Sequence, residues 1–179
     1  MSSAVANTVS LRHVIVVGGS LADWAAASAD HWAQLLSDLG KVADHVGAGW
    51  LTLRPYEPGA GSATAPDDRR VAVGSCVVSA VGEPDGRRRI AEAVRRLQAR
   101  AVAITEAGIA VEMNAPADVD PDLVVVIGSG HRLPPSLVWE LAYSELVFID
   151  VPWRQLAASH LEDAITSYSQ RHRRFGGVD

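Results

Sequence analysis

Apolar and polar positions change period several times along the chain, and each change marks an element. His13–Val17 is a short β-branched apolar run that meets Gly18-Gly19-Ser20, the pattern of a strand entering a glycine turn. From Leu21 to Val46 the period becomes helical. Trp32, Leu35, Leu36, Leu39, Val42 and Val46 share one face, Asp30 is placed to cap a second segment, and Gly47 and Gly49 end the run. Trp50–Leu53 predicts a second strand. A loop rich in Pro, Gly and Ala follows, the place where an element is shortened or deleted. Val71–Ala80 reads as one third strand. Asp85 caps a helix over Arg87–Val102, with Ile90, Val94, Leu97 and Ala101 inward and the arginines on a solvated face. Ile104–Ala117 fits helix and strand equally well.

Leu123–Ile127 is an unbroken β-branched run, as in a strand covered on both faces. Ser136–Tyr143 then reads as helix and Leu146–Ile149 as strand. Ser159-His160-Leu161-Glu162 reads as a capping box before a stripe of Leu161, Ala164, Ile165 and Tyr168. Strands alternating with helices predict an α/β fold: a mostly parallel central sheet flanked by helices, in one domain over residues 1–179.

Composition narrows the function classes. The chain has 179 residues and a formal charge of -5, which argues against a general nucleic-acid binder. A single cysteine, Cys76, rules out an internal disulfide and a cysteine zinc cluster. No apolar run reaches membrane-spanning length and the first residues lack a signal-peptide pattern, so the expected location is cytoplasmic.

Local chemistry is sparse. Gly18-Gly19-Ser20 before a helix is compatible with phosphate binding, but without Gly-x-Gly-x-x-Gly or a Walker lysine a plain strand–helix turn is the better reading. Gly128-Ser129-Gly130-His131 has the wrong spacing for a nucleophile elbow. The six histidines form no spaced metal set, and His13 reads as structural. Asp118, Asp120 and Asp122 lack the glycine turn and downstream glutamate of a calcium loop.

The last sixty residues carry a more specific signal. Asp122-Leu123-Val124, His131-Arg132, Leu137-Val138-Trp139, Ala142-Tyr143-Ser144-Glu145-Leu146, Phe148, Asp150-Val151, Trp153 and Arg173-Arg174-Phe175-Gly176-Gly177 occur in that order. This series resembles the C-terminal region of the cis-prenyltransferases, the family of undecaprenyl diphosphate synthases. His13–Val17 with Trp24-Ala25, and Trp50–Leu53, are similar to that family's first two strands. The middle of the chain is much shorter than in those enzymes.

The resemblance implies losses as well as likenesses. The family's Asp-Gly-Asn-Gly-Arg-Trp motif supplies an aspartate for magnesium and the allylic diphosphate, and an arginine for phosphate. Here those positions are Gly19 and Asp23. A further arginine position is Val126 and a serine position is Pro134, whereas Arg132 and Glu145 remain as residual substrate-binding candidates. Arg174 and Gly176 match the family's Arg-x-Gly, which reaches into the partner's active site.

Loss of the first set with retention of the second resembles the accessory subunits of heteromeric cis-prenyltransferases, the Nogo-B receptor type. The resemblance thus implies a chain with no catalytic residues, cofactor or metal of its own. Arg174 and Gly176 would complete the site of a magnesium-bearing catalytic partner, which would also hold the chain at the membrane periphery. The alternatives are a homodimer binding an isoprenoid near Trp32 and Leu36, and a small enzyme using Asp23, His31 and Glu145 on a diphosphate ester.

Overall fold

The computed structural model describes residues 10–57, 66–128 and 130–175, for the last four of these only the backbone. Six strands form one sheet: β1 (His13–Val17), β2 (Trp50–Arg54), β3 (Arg69–Val73), β4 (Cys76–Ala80), β5 (Leu123–Ile127) and β6 (Glu145–Ile149). Their order is β3-β4-β2-β1-β5-β6, and every neighbouring pair is parallel except β3 with β4. The helices are α1 (Leu21–Ala26), α2 (Ala29–His45), α3 (Gly86–Ala99), α4 (Glu106–Asn114) and α5 (Ala158–Phe175).

The central strands explain their own composition. All residues of β1 and β5 are buried, because helices cover both faces of the sheet. On one face α2 and α5 enclose the larger core, which includes Val14, Val16, Leu51, Leu53, Val125 and the stripe from α5. On the other face Ile15, Val17, Val124, Val126 and Leu137 form a small apolar cluster. Alternation along β2 continues that second face as polar positions, Thr52 and Arg54, both buried.

Several elements depart from the expectations above. Val71–Ala80 is two strands, since Gly74 (φ +59°) turns the chain and the Asp44 carboxylate on α2 accepts from Ser75 N at 2.7 Å. The helical run after β1 is divided, and Ser28, not Asp30, caps α2 by accepting from His31 N. The region from 104 to 117 contains α4, capped by Thr105. Ser136–Tyr143 is not one helix but two single turns, Pro135–Leu137 and Glu140–Ala142. The expected capping box at Ser159 is also replaced. The helix begins at Ala158, and Ala157 N donates to His160 Nδ1 at 3.1 Å. Among the described residues no helix is long and apolar enough to cross a membrane.

His13 ties the first strand to its neighbours. Its Nε2 lies 3.0 Å from Thr52 Oγ1 and its Nδ1 lies 3.1 Å from the Val119 carbonyl. Burial dominates and lowers its pKa to about 4. Below pH 6.5 the unfolded chain therefore binds a proton that the folded chain refuses until about pH 4, so stability falls as pH falls through that window. We expect a loss of about 3 kcal/mol across it. Denaturant melts at stepped pH test this, with His13→Gln flattening that part of the profile.

Candidate functional site

Chain direction across the sheet reverses beside β1. The path goes from β1 to β2 on one side, whereas β5 and β6 lie on the other. In open α/β sheets ligands occupy the crevice at the carboxyl ends of the strands flanking such a reversal. Here that crevice lies between Gly18-Gly19-Ser20 after β1 and Gly128, with Gly130 to Arg132, after β5.

Trp153 fills it. Gly19 has φ +69°, and a Cβ on it would meet Trp153 Cγ at 2.6 Å. A Cβ on Gly18 would meet Ile127 Cβ at 2.8 Å and Trp153 Cε3 at 2.9 Å. The indole stacks on Trp24 (5.9 Å between centroids, planes 20° apart) and lies 6.3 Å from Trp32. Trp24 in turn donates from Nε1 to the Gly18 carbonyl at 2.9 Å, so the turn, α1 and the plug are one unit.

The amide groups that begin α1 are also engaged. Asp23 forms a reciprocal cap with Ser20, accepting at Oδ2 from Ser20 N (3.1 Å) and Ser20 Oγ (2.8 Å). Glu57 Oε2 accepts from Leu21 N at 3.2 Å. The Asp23 carboxyl lies below its ordinary range because Ser20 donates to it, with Arg154 at 3.1 Å adding to the effect. Two carboxylates thus stand where a phosphate would seek a helix N-terminus, and they would repel it. Nor do these residues suit magnesium. Gly19 offers no oxygen side chain, the indole excludes one, and Asp23 is committed to Ser20 and Arg154.

The other predicted residues lie apart. Arg132 is exposed on the loop after β5, Val126 is buried in the small apolar cluster, and Pro134 is buried. Glu145 opens β6 at the amino end of the strands, about 13 Å along them from the crevice at their carboxyl ends. There its Oε1 accepts from Arg171 at 3.2 Å. His31 is exposed in the first turn of α2, so Asp23, His31 and Glu145 form no acid–base set. Trp32 and Leu36 are buried in the larger core. The backbone of Arg174 lies in the last turn of α5; its side chain and Gly176 are outside the described residues.

Three residues not foreseen as functional form the centre of the second face. Glu140 is buried between Arg54 and Arg89, and its Oε1 accepts from both guanidinium groups, at 2.8 Å from Arg89. Arg89 also donates to the carbonyls of Ser136 (3.0 Å) and Met113 (2.6 Å). Burial alone would raise the Glu140 pKa; the two arginines outweigh it and hold the carboxyl below its usual range. Burial, with Arg54 adjacent, lowers Arg89 to about 10. Arg54 and Arg89 border a cavity of about 780 Å³ between the sheet, α3 and α4. The sequence reading ended the second strand at Leu53, one residue short of Arg54, and Arg89 sits in a run of three arginines that reads as solvated.

Comparison with known proteins bears on the crevice. Residues 73–176 match a family model described as "Putative undecaprenyl diphosphate synthase". Isoprenyl transferase 2 of Bradyrhizobium diazoefficiens is 38% identical over 100 residues, covering 51% of this chain and 39% of that protein. The chain spans less than half the length of the curated relatives it matches. Two solved structures share the fold: a probable undecaprenyl diphosphate synthase from Campylobacter jejuni and lavandulyl diphosphate synthase from Lavandula x intermedia. The first has a TM-score of 0.59 and 15% identity, with 98% of this chain and 100% of that chain covered. The second has 0.60 and 17%, with 89% and 95% covered.

Two substitutions probe this geometry. Gly19→Asp forces a side chain into the Trp153 ring at a left-handed φ, and should cost at least about 2 kcal/mol. In chemical denaturation Trp153→Ala should relieve part of that cost, so the double variant is more stable than the two single effects predict. Glu140→Ala leaves two buried guanidinium groups facing each other and should cost about 3–5 kcal/mol.

Proposed function

The chain belongs to the undecaprenyl diphosphate synthase-like prenyltransferase family, and from that premise we propose that it is a non-catalytic accessory subunit. In this reading it pairs with a catalytic cis-prenyltransferase chain and lends Arg174 and Gly176 to that chain's site. The observation that carries it is the acidic edge of the turn after β1, where Asp23 and Glu57 hold the amide groups that begin α1. Prenyl transfer needs charge stabilisation of a departing diphosphate, commonly from a metal and arginines. The crevice where that would occur here is occupied by an indole and edged by Asp23 and Glu57.

Two further features support the reading. The segment from 133 to 148 presents apolar side chains to solvent, with Leu133, Val138 and Tyr143 at 53%, 52% and 79% exposure. Trp139, Leu141, Leu146 and Phe148 beside them are half-buried. Such a contiguous apolar face, next to the edge strand β6, suits a protein partner. The base of the tail is also anchored, since Leu161, Ala164, Ile165 and Tyr168 bury one side of α5 in the larger core.

An arginine at the end of such a helix gives bidentate phosphate contacts, and a following glycine lets backbone N–H groups approach closely. The middle of the chain is short in sequence beside that of the enzymes it resembles, so the partner would set chain length. Any magnesium would be held by the partner.

Co-expression with a catalytic chain bearing an intact aspartate motif tests the proposal. The two should co-purify and show more isopentenyl transfer than the catalytic chain alone. Arg174→Ala should leave the complex intact and lower transfer about a hundredfold. Val138→Asp with Tyr143→Asp should abolish association. Two chains that neither bind nor gain activity on mixing would refute the accessory role.

A further inference from the structure

The apolar face from 133 to 148 has little of its own to hold its shape. Its backbone makes two single helical turns, Pro135–Leu137 and Glu140–Ala142, and neither continues into a helix. Turns this short supply few hydrogen bonds to themselves, so their order must come from outside. Between Pro135 and Leu146 the buried side chains are those of Ser136, Leu137 and Glu140. Leu137 enters the small apolar cluster, whereas Glu140 enters the charge cluster.

Helix α3 supplies the missing order. Arg89 Nη1 donates to the Ser136 carbonyl in the first turn (3.0 Å) and to Glu140 Oε1 in the second (2.8 Å). One guanidinium nitrogen thus ties the two turns together. Arg54 donates to the same carboxylate oxygen and fixes the pair to β2. The Met113 carbonyl accepts from Arg89 Nη2 at 2.6 Å, so the guanidinium cannot swing away without breaking a buried bond. Gly86, the first residue of α3, lies against the same segment. A Cβ on it would meet the Pro135 carbonyl oxygen at 2.9 Å and Val138 Cγ2 at 3.0 Å. Beyond the second turn, Ser144 Oγ lies 2.8 Å from the carbonyls of both Glu140 and Pro121.

We propose that Gly86, Arg89 and Glu140 are positioning residues for partner binding, which fix the shape of the apolar face from its inner side. The proposal rests on the accessory-subunit reading above. Glu140 and Arg89 are 3% and 8% exposed, and Gly86 is buried, so they offer a partner almost no contact area. Their effect passes through the segment they hold. A face that is ordered before binding loses less freedom on association than one that must be ordered at that moment. Glutamine at 140 would keep the volume but present one acceptor oxygen, and would turn an N–H toward a guanidinium. Alanine at 86 leaves every charge in place and favours the helix itself, yet drives a methyl group into the Pro135 carbonyl.

Two readouts separate this role from a general loss of stability. The first is the Kd of the full chain for the catalytic partner chain, from titration calorimetry. Glu140→Gln and Gly86→Ala should each raise it about tenfold. Val42→Ala trims the larger core on the opposite face, and should lower stability while changing Kd less than about twofold. The second is the fluorine NMR spectrum of the chain alone, with its five tryptophans replaced by fluorotryptophan. The Trp139 signal, beside Glu140, should shift in both variants, whereas those of Trp24, Trp32 and Trp153 across the sheet should stay. An unmoved Trp139 signal in both variants, a moved signal with unchanged Kd, or an equal loss of affinity in Val42→Ala would overturn the proposal. An unmodified chain that binds no catalytic partner would refute the accessory reading and this proposal together. An unmodified chain and both variants that bind equally well would refute this proposal alone.

Discussion

The arrangement of the second face depends on one buried carboxylate. Glu140 comes from a single helical turn between β5 and β6, Arg54 ends β2, and Arg89 lies in the first turns of α3. The Met113 carbonyl, near the end of α4, accepts from both arginines. Elements distant in sequence thus meet at one charge cluster. Among the described residues the apolar cluster on this face has five fully buried members, too few to position two helices by packing alone. Taking three charges out of water is costly, and only close mutual contact with carbonyl support offsets it. That requirement makes the geometry strict: a helix that slides by one turn breaks the cluster.

The opposite face is organised by size rather than charge. Three tryptophans meet beneath the glycine turn after β1, and Arg69 from β3 covers Trp32 at 4.9 Å. The turn needs glycine because the backbone follows a left-handed path against an aromatic face. A feature that resembles a phosphate-binding turn in sequence therefore serves as a packing surface.

Much of this was legible in the sequence. Apolar runs such as His13–Val17 and Leu123–Ile127 announced buried parallel strands, and Asp85 announced its helix. The ordered match from Asp122 to Gly177 located the family. Other features were not legible for definite reasons. Val71–Ala80 looked continuous because Gly74-Ser75 becomes a turn only when Asp44 on another element holds it. Ser136–Tyr143 has helical spacing, yet the Glu140 bonds to Arg54 and Arg89 outweigh local propensity. Arg89 and Arg88 are indistinguishable by pattern, since burial of one depends on a carboxylate fifty residues later. Trp153 could be placed in the motif series, but its contact with Gly19 is purely tertiary.

The hairpin at the other end of the sheet has a consequence of its own. β3 is the terminal strand there, and its outer backbone groups are open to recruitment by another chain. It begins with Arg69 and Arg70, and its middle residues are exposed. Like charges facing one another across a would-be intermolecular ladder make edge-to-edge growth unfavourable. The hairpin therefore gives the sheet a polarity in assembly: one margin guarded against stacking, and the margin at β6 left as the side where a second polypeptide can be accommodated.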